Sequence, residues 1–280
     1  MSPPDPASPH APPRVRCVTQ AEKGAVFAAL HEGEPFVIPN PWDAGSARVL
    51  EALGFEALAT TSSGFAFTLG RLDGQTALDE VVAHTAALDA ATALPVAVDL
   101  ENGYGASPEA AANAIARVAE AGAVGGSIED WDPAGHLYEP AQAAERVAAA
   151  ADTAHSLGFP FMLAGRAENH IRGVTDLDDT IARLQAYERA GADVLYAPGL
   201  STTDQIRAVC EAVTKPVNVL ALPHMKLAEI FEAGAQRVSV GGALAWVAAK
   251  AFADAAIAMR DQGDLSALAA RLPLGEWFDA

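Results

Sequence analysis

Short apolar runs, many of them β-branched, alternate along the chain with longer alanine-rich segments that carry charges at helical spacing. Four of the longer segments end on a glycine shortly before the next apolar run, in LEALGFEAL, AEAGAVGGS, ERAGADVLY and FEAGAQRVS. Glycine at that place allows the left-handed backbone that ends a helix. This pattern is typical of a repeated strand and helix unit. The apolar runs predict eight strands, at 35–40, 57–63, 95–101, 125–130, 160–168, 194–199, 216–222 and 237–243.

The helical segments carry start signals as well as stop signals. Ser107 and Thr175 are placed as N-caps, with acidic residues in the turn that follows. Buried parallel strands joined by helices form either an open doubly wound sheet or a closed barrel. Eight units in about 210 residues favour an α/β fold of the (β/α)8 TIM barrel type. The first strand also lacks the GxGxxG fingerprint of a dinucleotide-binding sheet.

The two ends of the chain differ from this repeat. Residues 1–14 are rich in proline and have little to bury, so they are predicted to be disordered. We expect the barrel to occupy 15–262 and a C-terminal helical segment to occupy 263–280. The most apolar segment, ALAWVAAKAFADAAIAM, is interrupted by Lys250 and Asp254, and the sequence predicts neither a membrane span nor a signal peptide.

Charge and cysteine content narrow the possible functions. A formal net charge of −18 argues against nucleic acid or an anionic membrane as a partner, because clustered Lys and Arg bind phosphates. An anionic substrate must then be held by a few local cations or by a metal. The two cysteines, Cys17 and Cys210, form neither a disulfide framework nor a CxxC site, and a cytoplasmic location is expected.

The C-terminal ends of the strands hold the active site in a barrel of this type. Here those ends are strongly polar, and the set as a whole is more informative than any one member. The residues are Asn40, Trp42 and Asp43 in the first unit, Thr60, Thr61, Ser62 and Ser63 in the second, Asp99 and Glu101 in the third, Glu129 and Asp130 in the fourth, Arg166, Glu168, Asn169 and His170 in the fifth, and Asn218 and His224 in the seventh.

Carboxylates dominate this set. Asp99 and Glu101 are two residues apart on the same predicted strand, so their side chains are expected to face the same side. With Glu129 from the next strand, three carboxylates would converge and raise one another's pKa values. A divalent cation would relieve this repulsion, and an all-oxygen set suits Mg2+ or Mn2+. Mg2+ usually keeps several waters, so one carboxylate would bind directly and the others through water.

Two further features predict how a substrate would be held. Arg166 offers bidentate geometry for a carboxylate. The segment TTSSG offers hydroxyl and backbone N–H groups to a carboxylate or an oxyanion, through Thr61, Ser62 and Ser63. A metal, such a cradle and an arginine describe a site for a 2-oxo acid and its enolate. Trp42, Asp43 and Asn218 are the other predicted substrate contacts.

These residues also carry a resemblance. The order PNPWDAGSARVLEALGFEALATTSSGFAFTLGRLDG, VDLENGYG, GGSIED and GRAEN, over roughly Phe36 to Gly242, resembles the isocitrate lyase/phosphoenolpyruvate mutase superfamily, above all its short bacterial members. The resemblance implies a barrel, Mg2+, an enolate intermediate and a homodimer or homotetramer. It also implies that a last helix, here within 263–280, packs on a partner subunit.

The resemblance assigns roles to individual positions. It implies that Asp99 is the direct metal ligand, and that Glu129 and Asp73 complete the metal site. Glu101 stands where the family usually has a second Asp. The family's carboxylate-binding segment and its arginine fall on Thr61, Ser62, Ser63 and Arg166.

The departures from the family narrow the chemistry. The loop EDWDPAGHLYEP lacks the lysine and cysteine of the isocitrate lyases, and also the lysine and asparagine of a phosphonate mutase. What remains suits a carbon–carbon lyase that cleaves or decarboxylates a small 2-oxo or 2-hydroxy diacid. Two alternatives stay open, a carbon–phosphorus enzyme of the phosphonopyruvate hydrolase or mutase type and a non-catalytic binder. Arg166, Glu101 and His170 are the predicted catalytic residues, and His170, His136 and His224 are the candidates for protonating the enolate.

Overall fold

The computed structural model describes residues 18–278, so the predicted tail at 1–14 and Cys17 lie outside the described residues. In chain order, the strands are β1 (Phe36–Ile38), β2 (Leu58–Ala59), β3 (Val96–Asp99), β4 (Gly125–Glu129), β5 (Trp131–Asp132), β6 (His136–Leu137), β7 (Met162–Arg166), β8 (Val194–Tyr196), β9 (Val217–Leu220) and β10 (Arg237–Ser239). The helices are α1 (Gln20–Leu30), α2 (Ala44–Ala52), α3 (Ser62–Thr68), α4 (Leu78–Ala91), α5 (Pro108–Glu120), α6 (Pro140–His155), α7 (Leu177–Arg189), α8 (Thr203–Ala212), α9 (Leu227–Glu232), α10 (Ala243–Gln262) and α11 (Leu274–Phe278).

The sheet closes into a barrel. Eight parallel strands pair in the order β1-β10-β9-β8-β7-β4-β3-β2, while β5 and β6 form a separate antiparallel hairpin. At the seam between β1 and β2, the Ala59 N–H donates to the Pro39 carbonyl at 3.1 Å. The Asn40 side chain crosses the same seam, because it donates to Thr60 O at 3.1 Å, and it also accepts from the Val240 N–H, just after β10, at 2.9 Å. The predicted (β/α)8 barrel is confirmed, and each of its strands falls within a predicted range.

Glycine ends four helices where the sequence predicts it. The φ angles at Gly54, Gly122, Gly191 and Gly234 are 86°, 104°, 98° and 104°, in the left-handed region that suits glycine. At Gly122 a Cβ atom would also lie 2.4 Å from Asp89 Cγ, so a larger residue is excluded there.

The predicted helix starts are partly correct. Ser107 caps α5 as expected, and its hydroxyl accepts from the Ala110 N–H. The cap of α7 is Asp176 and not Thr175, since the Asp176 carboxylate accepts from two N–H groups of the first turn.

Helix α1 closes the N-terminal end of the barrel. Phe27 is fully buried against the first residues of the strands, among them Phe36 and Ala97. The fit is close at Gly125, where a Cβ atom would lie 2.6 Å from Phe27 Cε1. His31 follows α1, with Nδ1 2.7 Å from Phe27 O and Nε2 3.1 Å from an Nη1 of Arg237. Because Nδ1 must donate to the carbonyl, Nε2 is the acceptor for Arg237.

The C-terminal segment folds back onto the barrel. Helix α11 lies against α2, where the Arg48 guanidinium sits 4.7 Å over the Phe278 ring and donates to the Phe278 carbonyl. The predicted packing of 263–280 on a partner subunit stays a prediction. Across residues 18–278, no helix combines the length and the apolar character needed to cross a membrane.

We predict that His31 makes the fold sensitive to acid. Burial and the neighbouring Arg237 lower the pKa of His31 to about 3, so the folded chain excludes a proton that the unfolded chain binds below pH 6.5. Stability should therefore fall as the pH drops from 7 to 5, by about 2 kcal/mol for this residue. His31→Gln keeps a donor and an acceptor, and it should remove that part of the loss in urea unfolding at the two pH values.

His84 is also buried, and burial lowers its pKa to about 4. Protonation of His84 should therefore add to the loss of stability at low pH, and this part of the loss should remain in His31→Gln. An unchanged pH dependence in His31→Gln would contradict the assignment to His31.

Candidate active site

The C-terminal ends of the strands surround two adjoining cavities. We call the opening formed by these strand ends the mouth. The first cavity has a volume of about 220 Å³ and extends from the mouth into the barrel. The second has a volume of about 260 Å³ and lies beside it, under the hairpin of β5 and β6. Ser62, Asp73 and Arg166 line both cavities. Asp99 and Asn218 line the first, and Glu101, Glu129 and Arg172 line the second.

Asp99 is fixed at the end of β3 by backbone groups. Its Oδ2 accepts from the Ser62 N–H at 3.1 Å, and its Oδ1 accepts from the Glu101 N–H at 3.2 Å. The Thr60 hydroxyl accepts from the Asp99 N–H at 2.9 Å and so fixes the backbone. An Nη1 of Arg166 lies 3.5 Å from Oδ1. The orientation of the carboxylate is therefore fixed, and Asp99 lines the first cavity.

Glu101 does not continue the strand, which corrects the expectation that it shares a strand face with Asp99. Strand β3 ends at Asp99, and Glu101 has φ 48° in the left-handed region. The Tyr104 hydroxyl donates to Glu101 Oε1 at 3.2 Å, and the Thr76 hydroxyl lies 3.3 Å from the same oxygen. The sharp turn places the Glu101 side chain in the second cavity, whereas Asp99 lines the first.

Arg166 lies among carboxylates. Its Nε is 3.4 Å from Glu129 Oε2, and it forms a closer contact with Glu168. Arg172 binds the same two groups, with an Nη2 2.8 Å from Glu168 Oε2 and 3.7 Å from Glu129 Oε1. Glu168 is fully buried, so it holds both guanidinium groups in place. The arginine predicted to clamp a substrate is thus held by the protein's own acids in this arrangement.

The mouth carries more negative than positive charge. Burial raises the pKa of Glu101 to about 7, with Asp99 and Asp73 adding to the rise. Burial, with a contribution from Asp99, also raises the pKa of Asp73. Burial raises the pKa of Glu129 well above its ordinary value in spite of Arg166. The carboxylates are Asp73, Asp99, Glu101, Glu129 and Glu168, against the guanidinium groups of Arg166 and Arg172.

This donor set fits a magnesium ion by its chemistry. The acids are hard oxygen ligands, and the pKa values of Asp73, Glu101 and Glu129 are raised by burial and by neighbouring carboxylates, which a cation would offset. Within residues 18–278, no three His, Cys, Asp or Glu side chains form a ready-made metal site. Mg2+ commonly uses one or two carboxylates and several waters, so direct binding by Asp99 and water-mediated binding by the others suits the arrangement.

The TTSSG segment forms the start of α3, and part of its donor capacity is already used. The Ser62 N–H donates to Asp99, and the Gly64 N–H donates to the Thr61 hydroxyl at 3.3 Å. The Thr61 and Ser63 hydroxyls lie 3.2 Å apart. Thr61, Ser62 and Ser63 all line the first cavity, so their side chains can reach a ligand there. The N–H groups of Ser62 and Gly64, in contrast, donate hydrogen bonds within the protein.

Several predicted site residues lie outside both cavities. Asp43 caps α2 and is exposed, and Trp42 packs beside Gly64 at the start of α3. His170 is buried behind the mouth, and burial lowers its pKa. His136 is exposed on the hairpin, while His224 Nε2 contacts the Ser201 carbonyl at 3.0 Å. The polar character of a loop start does not by itself bring a side chain to the mouth.

Three residues that line the cavities were not predicted from the sequence. Arg172 follows β7 by one turn and returns to the carboxylates. Tyr196 ends β8, and its ring lies 5.2 Å from the Arg166 guanidinium. Arg237 begins β10 and still lines the first cavity. Tyr196 could have been found from the sequence, because it lies at the C-terminal end of its strand. Arg237 lies at the N-terminal end of its strand, and no sequence signal indicates its place in the cavity.

Comparisons with known proteins agree with this geometry. The family model for phosphoenolpyruvate phosphomutase matches residues 27–260. The crystal structure of a candidate lyase/mutase from Burkholderia cenocepacia J2315 is 50% identical, with a TM-score of 0.90, and the match covers 93% of this chain and 97% of that one.

Two curated relatives extend the comparison. An uncharacterized protein of Mycobacterium tuberculosis is 35% identical over 82% of this chain and 87% of its own length. An oxaloacetate decarboxylase of Rhodopseudomonas palustris (strain BisB5) is 31% identical over 85% of each chain. The barrel, the acidic mouth and these matches together place the chain in the phosphoenolpyruvate phosphomutase family, within the isocitrate lyase/phosphoenolpyruvate mutase superfamily of lyases and mutases.

Proposed function

We propose that the protein is a Mg2+-dependent lyase that cleaves a carbon–carbon bond of a small 2-oxo or 2-hydroxy diacid through a pyruvate-like enolate. The observation that carries the proposal is Asp99, oriented by two backbone N–H groups beside Arg166 and surrounded by acids with raised pKa values. The relative named oxaloacetate decarboxylase supports the diacid, since decarboxylation is one such cleavage.

At the mouth, some residues would bind the metal and others the substrate. Asp99 would hold Mg2+ directly, and Glu101, Glu129 and Asp73 would hold its waters. When bound, the cation supplies positive charge beside the 2-oxo oxygen. Arg166 and the hydroxyls of Thr61 and Ser63 bind and orient the substrate carboxylate.

The reaction itself balances without a redox partner. In decarboxylation the bond to the distal carboxyl carbon breaks, CO2 leaves, and the electron pair moves onto the 2-oxo group to give an enolate. A proton must then reach the former methylene carbon. Glu101 lines the adjoining cavity, where its contacts with Tyr104 and Thr76 hold it in position to orient the water that supplies that proton.

The β5–β6 hairpin favours a small substrate. It occupies the loop in which isocitrate lyases carry their lysine and cysteine, and it reads WDPAGHL here. Trp131 and Pro133 line the second cavity, and the Arg172 guanidinium lies 4.6 Å over the Trp131 ring. This stretch carries no thiol, which a tricarboxylate lyase would need there, so a diacid is the better candidate.

We predict that Asp99→Asn lowers kcat/KM for the best 2-oxo or 2-hydroxy diacid by about 100-fold or more, because the direct metal ligand is lost. EDTA should abolish the wild-type activity, and added Mg2+ should restore it. Asp204→Asn changes an exposed aspartate at the start of α8 and serves as the control, with activity expected to be unchanged.

Unchanged turnover in both Asp99→Asn and EDTA-treated enzyme would contradict the proposal. A thermal shift separates the non-catalytic alternative: stabilisation by oxalate that requires Mg2+, with no turnover over a broad panel of diacids, would favour a binder.

The family match itself favours a second candidate, a carbon–phosphorus enzyme. Phosphorus NMR of phosphonopyruvate with the protein and Mg2+ tests it directly. We expect no phosphate or phosphoenolpyruvate above the rate of the EDTA control, because the hairpin lacks the lysine and asparagine expected of a phosphonate mutase. Formation of either product at a rate that Asp99→Asn abolishes would replace the lyase proposal with this one.

We also propose that a second copy of this chain covers the C-terminal surface. Helix α10 and the segment after it expose many large apolar side chains, with Phe252 77% and Val247 68% exposed. A concentration of exposed apolar side chains in one part of the chain is typical of a subunit interface. The other members are Trp246, Ile257, Met259, Leu265, Leu268, Leu272 and Leu274.

The expected assembly is a homodimer or homotetramer in light scattering. Phe252→Asp should shift it toward the monomer, since it places a charge on the apolar surface. Val26→Asp alters an exposed apolar residue on α1, at the other end of the barrel, and should leave the assembly intact. A wild-type monomer at micromolar concentration would overturn this proposal.

A further inference from the structure

The interior of the barrel is open below the mouth. Barrels of this type usually fill this space with bulky branched side chains. Here Ala59, Ala97 and Ala164 line the first cavity on three different strands. These short side chains leave a continuous space that reaches from Asp99 and Arg166 at the mouth to Arg237 inside.

Arg237 is a buried cation with neutral partners. It is 6% exposed, and its Nε donates to Asn218 Oδ1 at 2.8 Å. Its Nη1 donates to His31 Nε2, and His31 stays neutral because burial and Arg237 lower its pKa. Within residues 18–278, no carboxylate forms an ion pair with Arg237, and burial lowers its pKa to about 10. A buried charge without a counter-charge is costly unless a ligand supplies one.

The strand register connects Arg237 to the mouth. Arg166 pairs with Tyr196, Tyr196 with Asn218, and Asn218 with Arg237, so the four residues form one row across β7, β8, β9 and β10. Three strand spacings of about 4.8 Å separate the ends of this row along the wall. Tyr196 stands between the two arginines, with its ring 5.2 Å from the Arg166 guanidinium. Both arginines line the first cavity, so a ligand bound there can contact either of them.

We propose that Arg237 binds the distal carboxylate of the substrate, inside the barrel, while the mouth holds its 2-oxo acid end. The inference rests on the proposed function and adds the residue that selects a diacid over a monoacid. Tyr196 and Ser239 also line this cavity, and their hydroxyl groups can donate hydrogen bonds to the anion. Asn218 holds Arg237 in place, because it also donates to Ser239 at 3.0 Å.

Two matched ligands test this role in calorimetry with Mg2+ present. One is 3,3-difluorooxaloacetate, and the other is 3,3-difluoro-2-oxobutanoate, which has a methyl group in place of the distal carboxylate. The wild-type protein should bind the diacid about 10- to 100-fold more tightly, as expected for a charged hydrogen bond in a buried site. Oxalate, which lacks a distal arm, reports on the mouth alone.

Arg237→Gln should remove the preference for the diacid and leave the oxalate affinity within about threefold of wild type, since the mouth is intact. Arg237→Lys, which keeps the charge, should retain part of the preference. A full diacid preference in Arg237→Gln would overturn the inference. If that variant fails to fold, the wild-type pair still decides, because equal affinity for the two ligands would overturn the inference as well.

The controls separate the two proposals. Absence of Mg2+-dependent oxalate binding to wild-type protein would defeat the proposed function, and this inference with it. Oxalate binding without any diacid preference would defeat only the role of Arg237. A loss of oxalate and diacid binding in equal measure in a folded Arg237→Gln would show a structural role for Arg237 and would also overturn the inference.

Discussion

The concentration of carboxylates around Arg166 is the constraint on which the rest of the site depends. A cluster of buried acids is unfavourable in a low-dielectric interior unless cations compensate it. Arg166 contacts Asp99, Glu129 and Glu168, and its contact with the fully buried Glu168 fixes its position. Arg172 shares two of these acids. The two guanidinium groups hold the cluster together but leave negative charge over, and this surplus makes the mouth suitable for a divalent cation.

The barrel supports this cluster through backbone geometry. Asp99 is oriented by N–H groups from the start of α3 and from Glu101, so its position does not depend on flexible side chains. The left-handed backbone at Glu101 is uncommon for a residue with a side chain, and it turns the chain away at the point where the strand would otherwise continue. A strained residue beside a fixed carboxylate is a feature that functional sites often show.

The sequence predicted the architecture well because the signals for it are local. Hydrophobic periodicity and the glycine stops report each strand and helix separately, and all eight strands lie where that pattern puts them. The active site was harder to predict from the sequence, because it depends on how separate elements pack together. Asp99, Glu129 and Arg166 could be found because strand ends converge in a barrel. The turn at Glu101, the burial of His170 and the cavity position of Arg237 depend on backbone torsion and packing that spacing alone does not encode.

Charge is arranged along the barrel axis with opposite signs at its two levels. The mouth is acidic and suits a cation, whereas the interior holds Arg237 among neutral partners. A barrel packed with branched residues would separate these levels, but the alanines of β2, β3 and β7 leave them in one cavity. A molecule that bridges a cation at the mouth and an arginine inside must carry negative charge at both ends. Under the proposed role of Arg237, the polarity of the cavity selects a molecule with an acid at each end, whichever bond is broken.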